Sequence, residues 1–276
     1  MQSSLTQTLG TIGATQVRFI YGFPFALMFL VIVAASGPYA VPGPNTAFLA
    51  FTLGGALAQI VGTALLLAAM RERSFSVATA FGKTEAVQVA LFGLVLLGDE
   101  LTLAKVAAIL IATAGVFLIA VKPRESWNSA ALRPALFGVA SGGFYAIAAV
   151  GFRGGILALD DGAYFVRATT TLVWSLGMQS LILGAWMALF ERAALLKSFA
   201  LWRQSLFAGF MGAFASQFWF LGFSLTSAAN VRTLGLIEVL FAQAVSRRVF
   251  AQSSSPREMT GMGLVVAGVT LLLIAA

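Results

Sequence analysis

Residues 77–97 read VATAFGKTEAVQVALFGLVLL, and residues 228–250 read AANVRTLGLIEVLFAQAVSRRVF. Each is a membrane-length apolar stretch with one glutamate, Glu85 or Glu238, near its centre. Twenty-nine residues beyond each glutamate (85 to 114, 238 to 267) the same tripeptide recurs: Ala114-Gly115-Val116 and Ala267-Gly268-Val269. A carboxylate at bilayer depth needs a partner, a water-filled cavity or a proton. Two such positions related by an internal repeat predict a polar site at the membrane midplane.

Composition supports the same reading. The chain of 276 residues is 59% hydrophobic and 10% charged, with a mean hydropathy of +0.93. A soluble domain of this size could not hide so much apolar surface. Spans at 17–37, 46–69, 75–97, 102–121, 134–152, 163–189, 204–225, 228–249 and 259–276 account for it, each near the ~20 residues that cross the hydrocarbon. The expected fold is an all-α integral membrane protein, a polytopic helical bundle of about nine such spans. Transmembrane β-strands would be shorter and would alternate in polarity. Pro24, in Gly22-Phe23-Pro24-Phe25, should kink the first span. That span is too long for the apolar core of a signal peptide, and no Lys or Arg precedes it within residues 1–16.

The chain has no Cys and no His. Disulfides, thiolate chemistry, imidazole metal ligands and histidine proton relays are excluded. No cofactor and no metal are expected. The net charge of +7 would suit nucleic acid, but its placement argues for a membrane surface. Arg71 and Arg73 share one loop, and Lys122, Arg124 and Arg133 another. Arg192, Lys197 and Arg203 fill a third, and Arg247, Arg248 and Arg257 a fourth. These alternate with poorly charged loops at 38–45, 98–101, 153–162 and 226–227. The alternation places the basic loops in the cytoplasm, the Met1 end inside and the Ala276 end outside. The expected partners are the lipid bilayer and a small-molecule substrate, not nucleic acid. A homodimer stays open.

The repeat extends beyond the glutamates. Val17-Arg18 opens the first span and Val166-Arg167 lies near the start of the sixth. Gln59 sits within the second span and Gln217 within the seventh. The order Arg, Gln, Glu, Ala-Gly-Val therefore occurs twice, in an N-terminal repeat over 1–121 and a C-terminal repeat over 134–276. The second repeat has five spans and the first four, because 134–152 has no counterpart. An odd number of spans per full repeat inverts successive copies. Either one helix is lacking, or Met1 is not the natural start; the polar opening Gln2–Thr8 suits a loop after such a helix.

Gly98-Asp99-Glu100-Leu101-Thr102, then Ala108–Ile119 with its close Gly115-Val116-Phe117-Leu118-Ile119, and the similar close Gly261–Leu273, make the chain resemble a known family. From about residue 10 to its end it is similar to the EamA-type transporters of the drug/metabolite transporter superfamily. The resemblance implies ten helices in two inverted five-helix repeats and the movement of small metabolites, often outward. It implies a cavity lined by the first, third, fourth, sixth, eighth and ninth helices. Against that pattern the first helix has no counterpart in residues 1–276; if it is lacking, one cavity wall is expected to be missing.

The polar groups each carry two readings. Glu85 and Glu238 bind a cationic group or cycle a proton, or they form structural pairs between helices. Lys83, two residues from Glu85, cannot face it on a helix; it is a counter-ion for Glu238 or a carboxylate-binding group. Gln59 and Gln217 orient a substrate or join helices, at ~0.6 kcal/mol each. Gln88 lies one turn from Glu85 on the same face, while Gln243 is less clearly placed against Glu238. Arg18, Arg167 and Arg232 lie near span ends, where arginine snorkels to the headgroups by default. Trp219 with Phe214, Phe218 and Phe223 on the seventh span, and Tyr145 with Phe144 on the fifth, line a cavity for a flat substrate or simply pack. Trp127, Trp174, Trp186 and Trp202 suit interfacial anchoring.

The function expected from these groups is secondary transport, outward by the resemblance, of a small metabolite such as an amino-acid-like zwitterion. Alternating access between inverted halves in the inner (plasma) membrane would drive it. A non-transporting or truncated membrane scaffold is the alternative. A membrane-embedded enzyme is disfavoured, because no nucleophile, acid–base pair or metal cluster gathers near an interface. Lys83 follows no phosphate-binding glycine loop, which disfavours an ATP-driven pump.

Overall fold

The computed structural model describes residues 13, 15–71, 81–120, 129–200, 202–241, 244 and 255–275. Among them every regular element is a helix: α1 (Phe23–Ala35), α2 (Thr46–Arg71), α3 (Glu85–Leu97), α4 (Leu103–Ala120), α5 (Ser129–Ala158), α6 (Tyr164–Phe190), α7 (Arg192–Ala200), α8 (Trp202–Leu225), α9 (Ala228–Gly235) and α10 (Pro256–Ala275). Seven stretches are long and apolar enough to cross a membrane: Thr15–Ala35, Thr46–Ala68, Leu103–Ala120, Ala135–Ala158, Tyr164–Phe190, Ser205–Leu225 and Pro256–Ala275. The ends of six of them fall close to the sequence expectation. Arg73, Lys122, Arg124, Trp127, Gln243, Arg247 and Arg248 lie outside the described residues.

Local chemistry sets the helix ends. Ser255 and Glu258 form a reciprocal capping box, with Ser255 N–H donating to Glu258 Oε2 (2.8 Å) and Glu258 N–H to Ser255 Oγ (3.3 Å). Pro256 between them takes the first helical position, where its missing N–H costs nothing. Asn45 Oδ1 accepts from the Phe48 N–H at 2.8 Å and so caps α2. Gly98 ends α3 at φ 68°, a left-handed conformation that a side chain would strain. Pro24 acts as expected: the span is interrupted by a turn at Tyr21-Gly22, and α1 restarts with Pro24 in its first turn.

Four sequence expectations need correction. The fifth span runs on to Ala158, so Arg153 lies on a helix and not in a loop. The basic loop at 192–203 contains the short helix α7. The span expected over 75–97 is broken at Lys83-Thr84, and the span expected over 228–249 at Leu236-Ile237. Each glutamate consequently starts a helical segment just after a break and does not sit inside a continuous helix. In both copies a glycine stands three residues before the glutamate, as Gly82 and Gly235.

The chain forms two compact units, 1–60 with 151–226 and 61–150 with 227–276. Each takes segments from both sequence repeats. In the first unit α6 runs antiparallel to the first span: Gln16 Nε2 donates to Ser180 O at 3.1 Å, while a Cβ on Gly177 would lie 3.1 Å from Phe23. The α8 helix crosses the Tyr21-Gly22 turn so closely that a Cβ on Gly209 would lie 2.5 Å from Tyr21. In the second unit α4 and α10 pack antiparallel through the repeated tripeptides. A Cβ on Gly115 would lie 2.6 Å from Gly261 O, and one on Gly268 2.7 Å from Ala108 O. Gly115 and Gly268 are the central residues of the two Ala-Gly-Val copies, so equivalent glycines make equivalent contacts.

Candidate functional site

Four charged residues of the second unit meet at its two helix breaks. Arg232, on α9, holds Glu85 at the start of α3, with Nε 3.0 Å from Oε1. Lys83, in the turn before α3, donates from Nζ to Oε1 of Glu238, in the segment after α9. Each repeat therefore supplies one acid and one base, and each pair joins the two copies. The order is antiparallel: residue numbers rise from 83 to 85 on one side as they fall from 238 to 232 on the other. Arg232 and Glu85 are 18% and 17% exposed, whereas Lys83 and Glu238 are 25% and 58% exposed. Lys83 and Glu238 also lie close enough to Glu85 to act on its charge, so the four form one cluster.

Neighbouring polar groups fix the break. Thr84 Oγ1 donates to Phe81 O at 2.6 Å and accepts from Gln88 Nε2 at 2.9 Å. Gln88 Nε2 also reaches Val139 O at 3.2 Å, which ties α3 to α5. A Cβ on Gly142 would lie 2.9 Å from Gly82 O and 3.2 Å from the Glu85 nitrogen, so α5 passes tightly beside the turn. Tyr145 lies in the same unit, its hydroxyl 2.9 Å from Thr63 Oγ1.

The first unit holds a separate polar group. Arg18, Gln59, Ser175, Gln179 and Ser216, with Phe220 beside them, line a cavity of about 10 Å³, the space of a single water. Gln179 is fully buried and donates from Nε2 to Gln59 Oε1 at 2.6 Å. Gln217 does not join them; its Nε2 donates to Thr169 Oγ1 at 2.7 Å. Trp219 rests against Phe223, with ring centroids 6.3 Å apart, and is not among the residues lining the cavity. Phe214 and Phe218 are exposed; Phe214 stacks on Phe210 and meets Phe29 and Phe218 edge-on.

The structure thus brings Glu85, Glu238, Lys83 and Gln88 into one unit. It places Gln59, Gln217 and Trp219 in the other. Lys83 pairs with Glu238, one of the two partners the sequence left open for it, although Lys83 lies in a turn and not on a helix. The arginines behave differently from simple snorkelling. Arg232 is bound to Glu85, Arg18 lines the small cavity, and Arg167 donates to Leu159 O at 3.3 Å. Gln179 escaped notice because nothing in the repeat marks it. Arg232 could have been found from its place one turn before Gly235-Leu236-Ile237-Glu238, had the Gly-x-x-Glu register been read as a break. Among the described residues no three acidic side chains gather as a metal site would need.

Comparison with known proteins adds the following. A family model described as the EamA-like transporter family matches residues 1–121. No curated protein matches. A solved structure titled "Crystal structure of protein" is similar over 100% of this chain and 90% of its own, at 15% identity and a TM-score of 0.73. At that identity the likeness is one of fold.

Proposed function

We propose that the chain, whose residues 1–121 match the EamA-like transporter family, is a transporter of that kind, that it carries a small zwitterionic metabolite and that the Lys83–Glu85–Arg232–Glu238 cluster is its substrate site. One observation carries this reading: two acids and two bases meet at two helix breaks, each pair joining one repeat to the other. Helix breaks at membrane depth are where secondary transporters expose backbone and place substrate groups. A cluster with equal numbers of acids and bases suits a ligand that brings one of each, because neither substrate charge is then left unpaired. Net transport follows from rearranging the two antiparallel copies about this cluster, and export is the direction the family resemblance favours. The protein belongs in the inner (plasma) membrane, basic loops inward.

The test is counterflow in proteoliposomes made with the whole chain. A panel of standard amino acids should include one that exchanges, while its N-acetyl and methyl-ester forms do not. Equal exchange of all three forms would sink the zwitterion assignment. A scaffold role would show as no exchange of any panel member by well-folded protein.

A further inference from the structure

The two ion pairs differ in a way the site's symmetry does not require. Arg232 sits inside a regular helical turn of α9, which Ser227 caps by accepting from the Asn230 N–H. Its partner Glu85 is the first residue of α3, where a negative charge also favours the helix dipole. Both are shielded. Lys83, by contrast, lies in the turn itself, on a flexible four-carbon stem. Glu238 follows a second turn whose backbone bonds are short-range, Val239 N–H to Leu236 O and Leu240 N–H to Ile237 O. It is the most exposed of the four.

We propose that the pairs have separate roles: Glu85–Arg232 is a fixed clamp that holds the two breaks together, and Lys83–Glu238 is the pair that substrate opens. An incoming ammonium takes Lys83's place on Glu238 while the accompanying acid group takes Glu238's place on Lys83. The exchange conserves charge, and no proton or covalent bond moves. Glu238 and Lys83 are then the specificity-determining residues, and Arg232 is a positioning residue that acts through Glu85. The substrate half rests on the zwitterion reading above; the clamp half rests on geometry alone.

Two measurements on the whole chain separate the halves. The first is melting in detergent of Arg232→Met, Lys83→Met and Glu238→Gln. Arg232→Met should lower the melting temperature by several degrees, and Arg232→Lys should recover most of the loss. Lys83→Met and Glu238→Gln should each lower it by less than Arg232→Met does, because Glu238, at 58% exposed, is the least enclosed of the four. The second is the concentration dependence of amino-acid exchange in proteoliposomes. Glu238→Gln should raise KM at least about tenfold, the effect of losing one charged hydrogen bond. Gly263→Ala, at a position with open space around it and outside the cluster, should keep the wild-type KM. Equal melting losses in Arg232→Met, Lys83→Met and Glu238→Gln, or an unchanged KM in Glu238→Gln, would overturn the division of roles. Failure of the wild-type protein to exchange any amino acid, with the melting asymmetry intact, would overturn the substrate half and leave the clamp.

Discussion

Arg232 of the second repeat holds Glu85 of the first at 3.0 Å, and both side chains are largely shielded. Separating such a pair leaves one charge in a poor environment, which costs more than the pair itself contributes. Arg232→Met should therefore destabilise the protein by about 3 kcal/mol, at the lower end for a shielded pair. Adding Glu85→Gln should restore a large part of that loss, since no charge is then stranded. A double-mutant cycle of melting temperatures checks both statements; additive losses would contradict them.

Two glycines on one helix should respond in opposite ways. A Cβ on Gly261 would meet Gly115 O at 2.7 Å and the Ile119 nitrogen at 3.2 Å, backbone atoms that cannot step aside cheaply. Gly261→Ala should cost about 2 kcal/mol through overpacking. Gly263, two residues on, has open space around it. Gly263→Ala should leave the melting temperature unchanged or slightly higher, because alanine is the better helix former.

In the first unit, Gln179 donates to Gln59 across helices at 2.6 Å while fully buried. Gln179→Leu should destabilise by about 1 kcal/mol, the scale of an interhelical hydrogen bond in a membrane protein. Gln59→Leu in the same background should then add little. Melting of the two single variants and the double variant measures the coupling.

Arg153 Nη1 donates to Phe223 O at 2.8 Å and also to Thr226 O, closing the C-terminal end of α8. A positive charge there satisfies carbonyls that the helix leaves open and matches its dipole. Arg153→Met should cost about 2 kcal/mol, as expected for hydrogen bonds from a charged donor. Hydrogen exchange should show the largest loss of protection at 223–226.

Much of the fold was legible because membrane spans need long apolar runs, and six of the seven run close to their expected limits. Gly115 and Gly268 were legible as repeat markers, and their role as close-approach points follows from their lack of a Cβ. The two breaks were hidden because the apolar residues flanking Gly82-Lys83-Thr84 and Leu236-Ile237 keep a span-length window hydrophobic; hydropathy reports burial in lipid, not continuity of the helix. Glu85, Glu238 and Lys83 stood out as charges within apolar segments. Arg232 did not, because its distance from an assumed span end suggested snorkelling, whereas the break beside it places a carboxylate within reach. The fifth span's extra length was not legible: Gly154 and Gly155 fall in the expected loop at 153–162 but stand on α5, where they admit Phe51 and Thr52 of α2 at close range.

The central claim is that Glu238 meets the substrate. The most direct test is amino-acid exchange by proteoliposomes containing the wild-type chain or Glu238→Gln, at matched protein content and with folding verified by melting. The account predicts saturable exchange by the wild-type protein and its loss at low substrate in Glu238→Gln, with the fold retained. Exchange by Glu238→Gln at the wild-type rate and KM would contradict it.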